Sequence, residues 1–167
     1  AAGFSAVQTS PINACLEGED GGMDLYGNGK WYYHYQPTDF KIGNYQLGTR
    51  DEFKAMCDEA HKYGIKVIVD VIANHTTPAT DEVSKDLIEA GGGSLETLYH
   101  KEGRTPLNDF GDRLACTTHE MGGLPDINTE RPSVFLVTWS AAVVRTSSII
   151  RSEYKARDVQ TFWPLTR

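Results

Sequence analysis

Ile65-Lys66-Val67-Ile68-Val69-Asp70-Val71-Ile72-Ala73-Asn74-His75 decides the fold. Ile65, Val67, Ile68, Val69, Val71 and Ile72 are β-branched and apolar, with only Lys66 and Asp70 interrupting them. A run this apolar reads as a strand of a parallel sheet, covered on both faces. Asp70, Asn74 and His75 give it a polar carboxyl end. That end of a buried parallel strand is where α/β proteins place their chemistry. The run therefore predicts a site as well as a strand.

The preceding residues supply a crossover. Thr49 and Glu52 have the spacing of a capping box. Phe53, Met56, Cys57 and Ala60 fall on one helical stripe, and Gly64 fits the helix stop. Upstream, Ala6 to Ser10 reads as a short strand closed by Pro11, and Ala1-Ala2-Gly3 as the end of a helix. The start of the sequence is thus expected to lie inside a domain, with no signal peptide in view. Strand, loop, helix, strand makes a βαβ unit with a right-handed crossover and a parallel sheet.

Residues 12–30 read as a loop rich in glycine and acids. Residues 76–126 are long and irregular, with a short helix expected over Asp81 to Ala90 before Gly91-Gly92-Gly93. Such a stretch within a compact domain is usually functional or a small subdomain. Residues 131–167 differ in kind: six Lys and Arg stand against two acids, and glycine is absent. Val134 to Val144 is apolar without a clear helical stripe. The shift marks a basic tail, a new domain, or a frame-shifted or rearranged segment.

Bulk properties narrow the classes. The chain has 167 residues, enough for one domain with a core. Its net charge of -7 argues against non-specific nucleic-acid binding. Mean hydropathy is -0.42, and no apolar stretch approaches the ~18 residues of a membrane span. Cys15, Cys57 and Cys116 lack metal-like spacing, and an odd number cannot all pair internally.

Several residues have the chemistry of a binding site. Asn74 and His75 close a strand, a position that also suits a plain turn. A hard cation such as calcium takes oxygen ligands, so the Asn74 amide suits it and His75 does not. His75 reads better as a hydrogen-bond donor to a substrate. His34, His61, His100 and His119 show no zinc-like spacing. Trp31-Tyr32-Tyr33-His34-Tyr35 cannot all point inward on a strand. Some of these rings face a cleft or solvent, where aromatic faces stack on flat apolar surfaces such as those of sugars; packing under a loop is the alternative. Gly122 to Asn128 places Asp126 in a tight turn. There is no phosphate-binding glycine loop, no GxSxG elbow and no pair of CxxC motifs.

Four segments in order resemble the α-amylase family of glycoside hydrolases. GFSAVQTSPI (Gly3 to Ile12) is similar to the second barrel strand, and WYYHYQP (Trp31 to Pro37) to the aromatic substrate segment after it. DVIANH (Asp70 to His75) resembles the signature on the third strand, and GLPDIN (Gly123 to Asn128) the one near the end of domain B. The resemblance covers about residues 1 to 130. It implies an α/β chain, part of a (β/α)8 TIM barrel supplying strands two and three, with an irregular domain B inserted. Residues 1–75 would be partial barrel, 76–130 the domain B-like insertion, and 131–167 atypical.

The resemblance also implies roles. Asn74 matches a calcium ligand through its side-chain oxygen, Asp126 a second through its carboxylate, and the Thr117 carbonyl falls where a third would lie. His75 and Tyr35, with Gln36 beside it, match residues lining the sugar subsite at the cleaved bond. Trp31 and Tyr32 match the aromatic wall of neighbouring glucose sites. The implied activity is that of an endo-acting α-1,4-glucan hydrolase with calcium as cofactor and an α-glucan as partner, from a secreted, extracellular and monomeric parent. A cyclodextrin-forming transglycosylase and a non-catalytic glucan- or calcium-binding remnant are the alternatives. The family's retaining mechanism needs an Asp nucleophile and a Glu acid/base ~5 Å apart. The nucleophile belongs in a segment like G-F-R-x-D-A some thirty residues beyond Asp126, and nothing in 131–167 has that pattern. No catalytic residue is therefore assigned in this chain, which is expected to be inactive alone.

Overall fold

The computed structural model describes residues 3–19, 21 and 29–139. The helix end expected at Ala1-Ala2, the middle of the glycine-rich loop and most of the basic stretch lie outside the described residues. In chain order the elements are β1 (Ala6–Thr9), β2 (Asn13–Cys15), a 3-10 turn (Trp31–Tyr35), β3 (Pro37–Asn44), β4 (Gly48–Thr49) and α1 (Arg50–Lys62). They continue with β5 (Lys66–Val69), a second 3-10 turn (Thr80–Glu82), α2 (Lys85–Ala90), α3 (Leu95–Leu98), α4 (Ala115–Thr118) and α5 (Pro132–Trp139).

The βαβ expectation holds. β1 and β5 pair in parallel, from Ala6 opposite Lys66 to Thr9 opposite Val69. α1 lies between them in sequence. At its start, Thr49 Oγ1 accepts from the Glu52 N–H, and Glu52 Oε2 accepts from the Thr49 N–H at 2.7 Å. At its end, Gly64 takes φ +68°. Its N–H donates to the His61 carbonyl, and the Ile65 N–H to the Ala60 carbonyl. This Schellman closure turns the chain directly into β5.

The strand differs from its expected extent. The ladder stops at Val69 rather than running to His75. Its partner β1 ends at Thr9, two residues before Pro11, so only Asp70 N–H finds a further acceptor there, the Thr9 carbonyl at 3.3 Å. Nor are both faces covered: Val67 is buried under α1, while Ile68, pointing the other way, is 52% exposed.

Elsewhere the structure differs from expectation in detail. Residues 12–30 are not all loop, because β2 pairs antiparallel with β3, which in turn pairs with β4. Asn13-Ala14-Cys15 is too short to show an alternating pattern. Pro132–Trp139 forms a short apolar helix without an amphipathic stripe, as the sequence reads there. The helix expected over Asp81 to Ala90 is split: Ser84 caps α2 by accepting from the Leu87 N–H, and the 3-10 turn precedes it.

Among the described residues, buried apolar side chains gather in two clusters. Ile12, Phe53, Cys57 and Val67 lie between α1 and the strands. Phe40, Val83, Leu87, Leu98, Tyr99, Ile127 and Val134 form the other. Phe40 comes from β3, so that strand anchors the irregular segment. No helix among the described residues is long and apolar enough to cross a membrane.

Candidate functional site

The polar end of the opening run meets the turn around Asp126. The Ile127 N–H donates to the Asn74 carbonyl at 2.9 Å, and the Thr76 N–H to the Pro125 carbonyl at 3.2 Å. His75 and Asp126 are thus paired as an antiparallel bridge. On the other side, the His100 N–H donates to the Asp126 carbonyl and the Asp126 N–H to the Gly103 carbonyl. Held between two backbone segments, Asp126 is only 3% exposed.

Its carboxylate has two neighbours. Asn74 Nδ2 donates to Oδ1 at 2.7 Å, and His100 Nδ1 donates to Oδ2 at 2.6 Å. Burial pushes the Asp126 carboxyl above the usual carboxylate range, opposed by the hydrogen bond from His100 and then by Asn74. His100 was not singled out as a site residue from sequence. It lies 26 residues from its partner and belongs to no motif, so only the fold reveals it.

His75 points back to the aromatic segment. Its Nε2 lies 3.0 Å from the Tyr35 carbonyl, and burial holds the imidazole pKa below its ordinary value. A neutral ring facing a carbonyl carries its proton on Nε2, which leaves Nδ1 as an acceptor. The expected donor to a substrate is therefore already committed inside the protein. Tyr35 also donates its hydroxyl to Asp70 Oδ2 at 3.0 Å, joining the aromatic segment to the end of β5. Burial raises the Tyr35 pKa, and the Asp70 hydrogen bond adds to the rise.

The aromatic segment is a 3-10 turn, not a strand, so its rings fan outward in several directions. Trp31 is 55% exposed and Tyr32 43% exposed, and Trp31 stands edge-on to both Tyr32 and Tyr35. His34 turns inward and is buried. Gln36 is partly buried, and its carbonyl accepts from the Leu16 N–H. The structure thus brings together Asn74, His75, Tyr35 and Asp126. Thr117 lies on α4, exposed, its hydroxyl turned back to the Leu114 carbonyl at 3.0 Å.

Among the described residues, no three His, Cys, Asp or Glu side chains form a group able to hold a metal ion. A cation at Asp126 would need amide and carbonyl oxygens as well, a donor set that suits calcium. Asn74 fits this. Turned over, its amide presents Oδ1 to the same carboxylate, and two oxygens so close need a cation beside them. The buried carboxylate, short of positive charge, fits it too.

The chain matches the pattern described as "Alpha amylase, catalytic domain" over residues 2–95. It is 59% identical over 130 residues to an α-amylase of Butyrivibrio fibrisolvens, covering 77% of this chain and 13% of that protein. A cyclomaltodextrin glucanotransferase of Bacillus sp. (strain 1011) is 44% identical over 118 residues, covering 64% of this chain and 16% of its own length. The solved α-amylase of Geobacillus thermoleovorans, complexed with acarbose, superposes with a TM-score of 0.64 at 25% identity. That match covers 87% of this chain and 28% of the solved one, a TIM-barrel protein. The chain therefore spans well under a third of these relatives, and by pattern, sequence and fold it belongs to the α-amylase family.

Proposed function

We propose that the chain is the part of an endo-acting α-1,4-glucan hydrolase that binds calcium and one wall of the glucan. The observation supporting this is the junction of Asn74, His75 and Asp126, which ties the end of β5 to the turn closing residues 76–130. Asn74 and Asp126 would hold calcium, with the Thr117 carbonyl as a third oxygen. Calcium there supplies positive charge to a buried carboxylate and crosslinks the insertion to the barrel strand. We read residues 1–75 as partial barrel and 76–130 as the inserted domain B. The parent protein is an extracellular monomer in this reading.

The chain's own residues act on the sugar by positioning. Trp31 and Tyr32 offer exposed ring faces for stacking. His75, fixed by its Nε2–H to the Tyr35 carbonyl, offers Nδ1 to a sugar hydroxyl. Tyr35 and Gln36 border the same place. The carboxylates that break the bond in a retaining mechanism come from elsewhere in the parent.

Two measurements on the full chain test this. Calcium should raise its unfolding midpoint, and Asn74→Ala should abolish the rise. Incubation with starch should release no reducing ends. Absence of any calcium effect overturns the metal assignment, and clear turnover overturns the assignment of chemistry to other segments.

A second reading, a cyclodextrin-forming transglycosylase, is favoured by the glucanotransferase relative. Product analysis of the full-length parent separates the two: linear oligosaccharides support hydrolysis, cyclic ones transfer.

A further inference from the structure

A second polar site lies behind Asp126, on the side away from His75. A cavity of about 530 Å³ opens between α3, the loop after it and the segment leading into α5. Lys101, Arg104 and Arg131 line it, against one acid, Glu96. This cationic lining stands out in a chain of net charge -7. Among the described residues, none of the three cations has a carboxylate within ion-pair distance. Hydrogen bonds from its own backbone and from Ser94 hold the Glu96 carboxyl below the usual range, and Arg104 adds to this only through space.

The wall is also underused. Arg131 Nε, Asn128 Oδ1 and His100 Nε2 are each buried without a hydrogen-bond partner, and all three residues line this cavity. Buried polar groups are nearly always satisfied. Arg131 Nε is a donor left without an acceptor; Asn128 Oδ1 is an acceptor, and so is His100 Nε2 while Nδ1–H serves Asp126, so the arginine is the atom that calls for an anion. Glu130 Oε2 comes within 4.0 Å of His100 Nε2, from an exposed side chain. Arg131 is held in place: a Cβ added at Gly92 would stand 2.9 Å from its Nη1, so the guanidinium lies against the glycine backbone.

We infer that this cavity is an anion site, taking a carboxylate or phosphate group between Arg104 and Arg131 with Lys101 at its mouth. Guanidinium groups match the paired oxygens of both anions. Turned over, so that Nδ2 takes the place of the unpartnered Oδ1, the Asn128 amide would add a further donor. Its three cations are none of the sugar or calcium residues, although His100, which lines the cavity, also donates to Asp126. An acidic side chain elsewhere in the parent and a free oxyanion share this chemistry.

The test titrates the full chain with inorganic phosphate and with acetate, each against sodium chloride at matched ionic strength, following the unfolding midpoint. A saturable rise beyond the chloride control is expected with at least one of them. Phosphate alone assigns a tetrahedral oxyanion; acetate alone assigns a carboxylate. Arg104→Gln, an exposed substitution that leaves the cores intact, should weaken binding at least tenfold. Arg131→Lys, which keeps the charge but removes the fork, should weaken it likewise. No rise beyond chloride overturns the site, as do variants that bind like the parent sequence.

Discussion

Asp126 shows how the site depends on single residues. Its backbone is gripped from both sides, and Gly103 permits the closest approach. A Cβ at that position would meet the Asp126 carbonyl oxygen at 2.5 Å and the His100 nitrogen at 3.0 Å. Backbone atoms cannot swing aside as a side-chain end can. Gly103→Ala should therefore push the 100–103 loop away from Asp126 and destabilise the chain by about 1–3 kcal/mol, the usual cost of overpacking. Urea unfolding measures this, and an unchanged midpoint would remove Gly103 from the argument. Asn74 and Asp126, which meet in the structure, each sit in a short segment that stands out in the sequence. His100 was not legible there, since its contact with Asp126 arises from folding of the loop. The direction of His75 was also hidden: sequence suggests a ring at a strand end, but only the structure shows its Nε2–H directed to Tyr35.

Among the elements, α1 was read almost to the residue, and for a physical reason. Its start and stop are local: Thr49 and Glu52 cap each other, and Gly64 supplies the left-handed turn. Local signals of this kind survive in sequence whatever surrounds them. Thr49→Ala should remove the cap and cost about 1 kcal/mol. The check is chemical denaturation, with Lys62→Ala, at the far end of the helix, as a control expected to change little. The strand was legible in kind but not in length. Its apolar run continues past Val69, yet its extent is set by β1, which offers four paired residues and no more. β2 leaves no mark in the sequence for a related reason: three residues form a strand only because Pro37–Asn44 folds back beside them. Where an element's limits depend on a distant partner, composition does not record them.

At the scale of the whole molecule, buried thiols set the response to alkaline pH. Cys57 sits at the centre of the α1 cluster, fully buried, and Cys15 lies in β2, also buried. Burial pushes both thiols from 9.0 to about 11, with Glu17 adding to the rise at Cys15 and Asp58 at Cys57. Below pH 9 both states keep these protons, so the thiols take nothing from stability. Between about pH 9 and 11 the unfolded chain releases them while the folded chain holds on. Stability therefore falls as pH rises through that window. Each thiol contributes a loss on the order of 2 kcal/mol once the window is crossed. Buried Tyr99, its hydroxyl on Thr76, has a raised pKa and adds to the fall at higher pH. Unfolding midpoints measured from pH 8 to 11 should decline from about pH 9. Cys57→Ala lowers stability at every pH by leaving a cavity, but its profile should be flatter through the window than that of the unsubstituted chain. Parallel profiles would show that the buried thiol of the α1 cluster is not what makes the folded state sensitive to base.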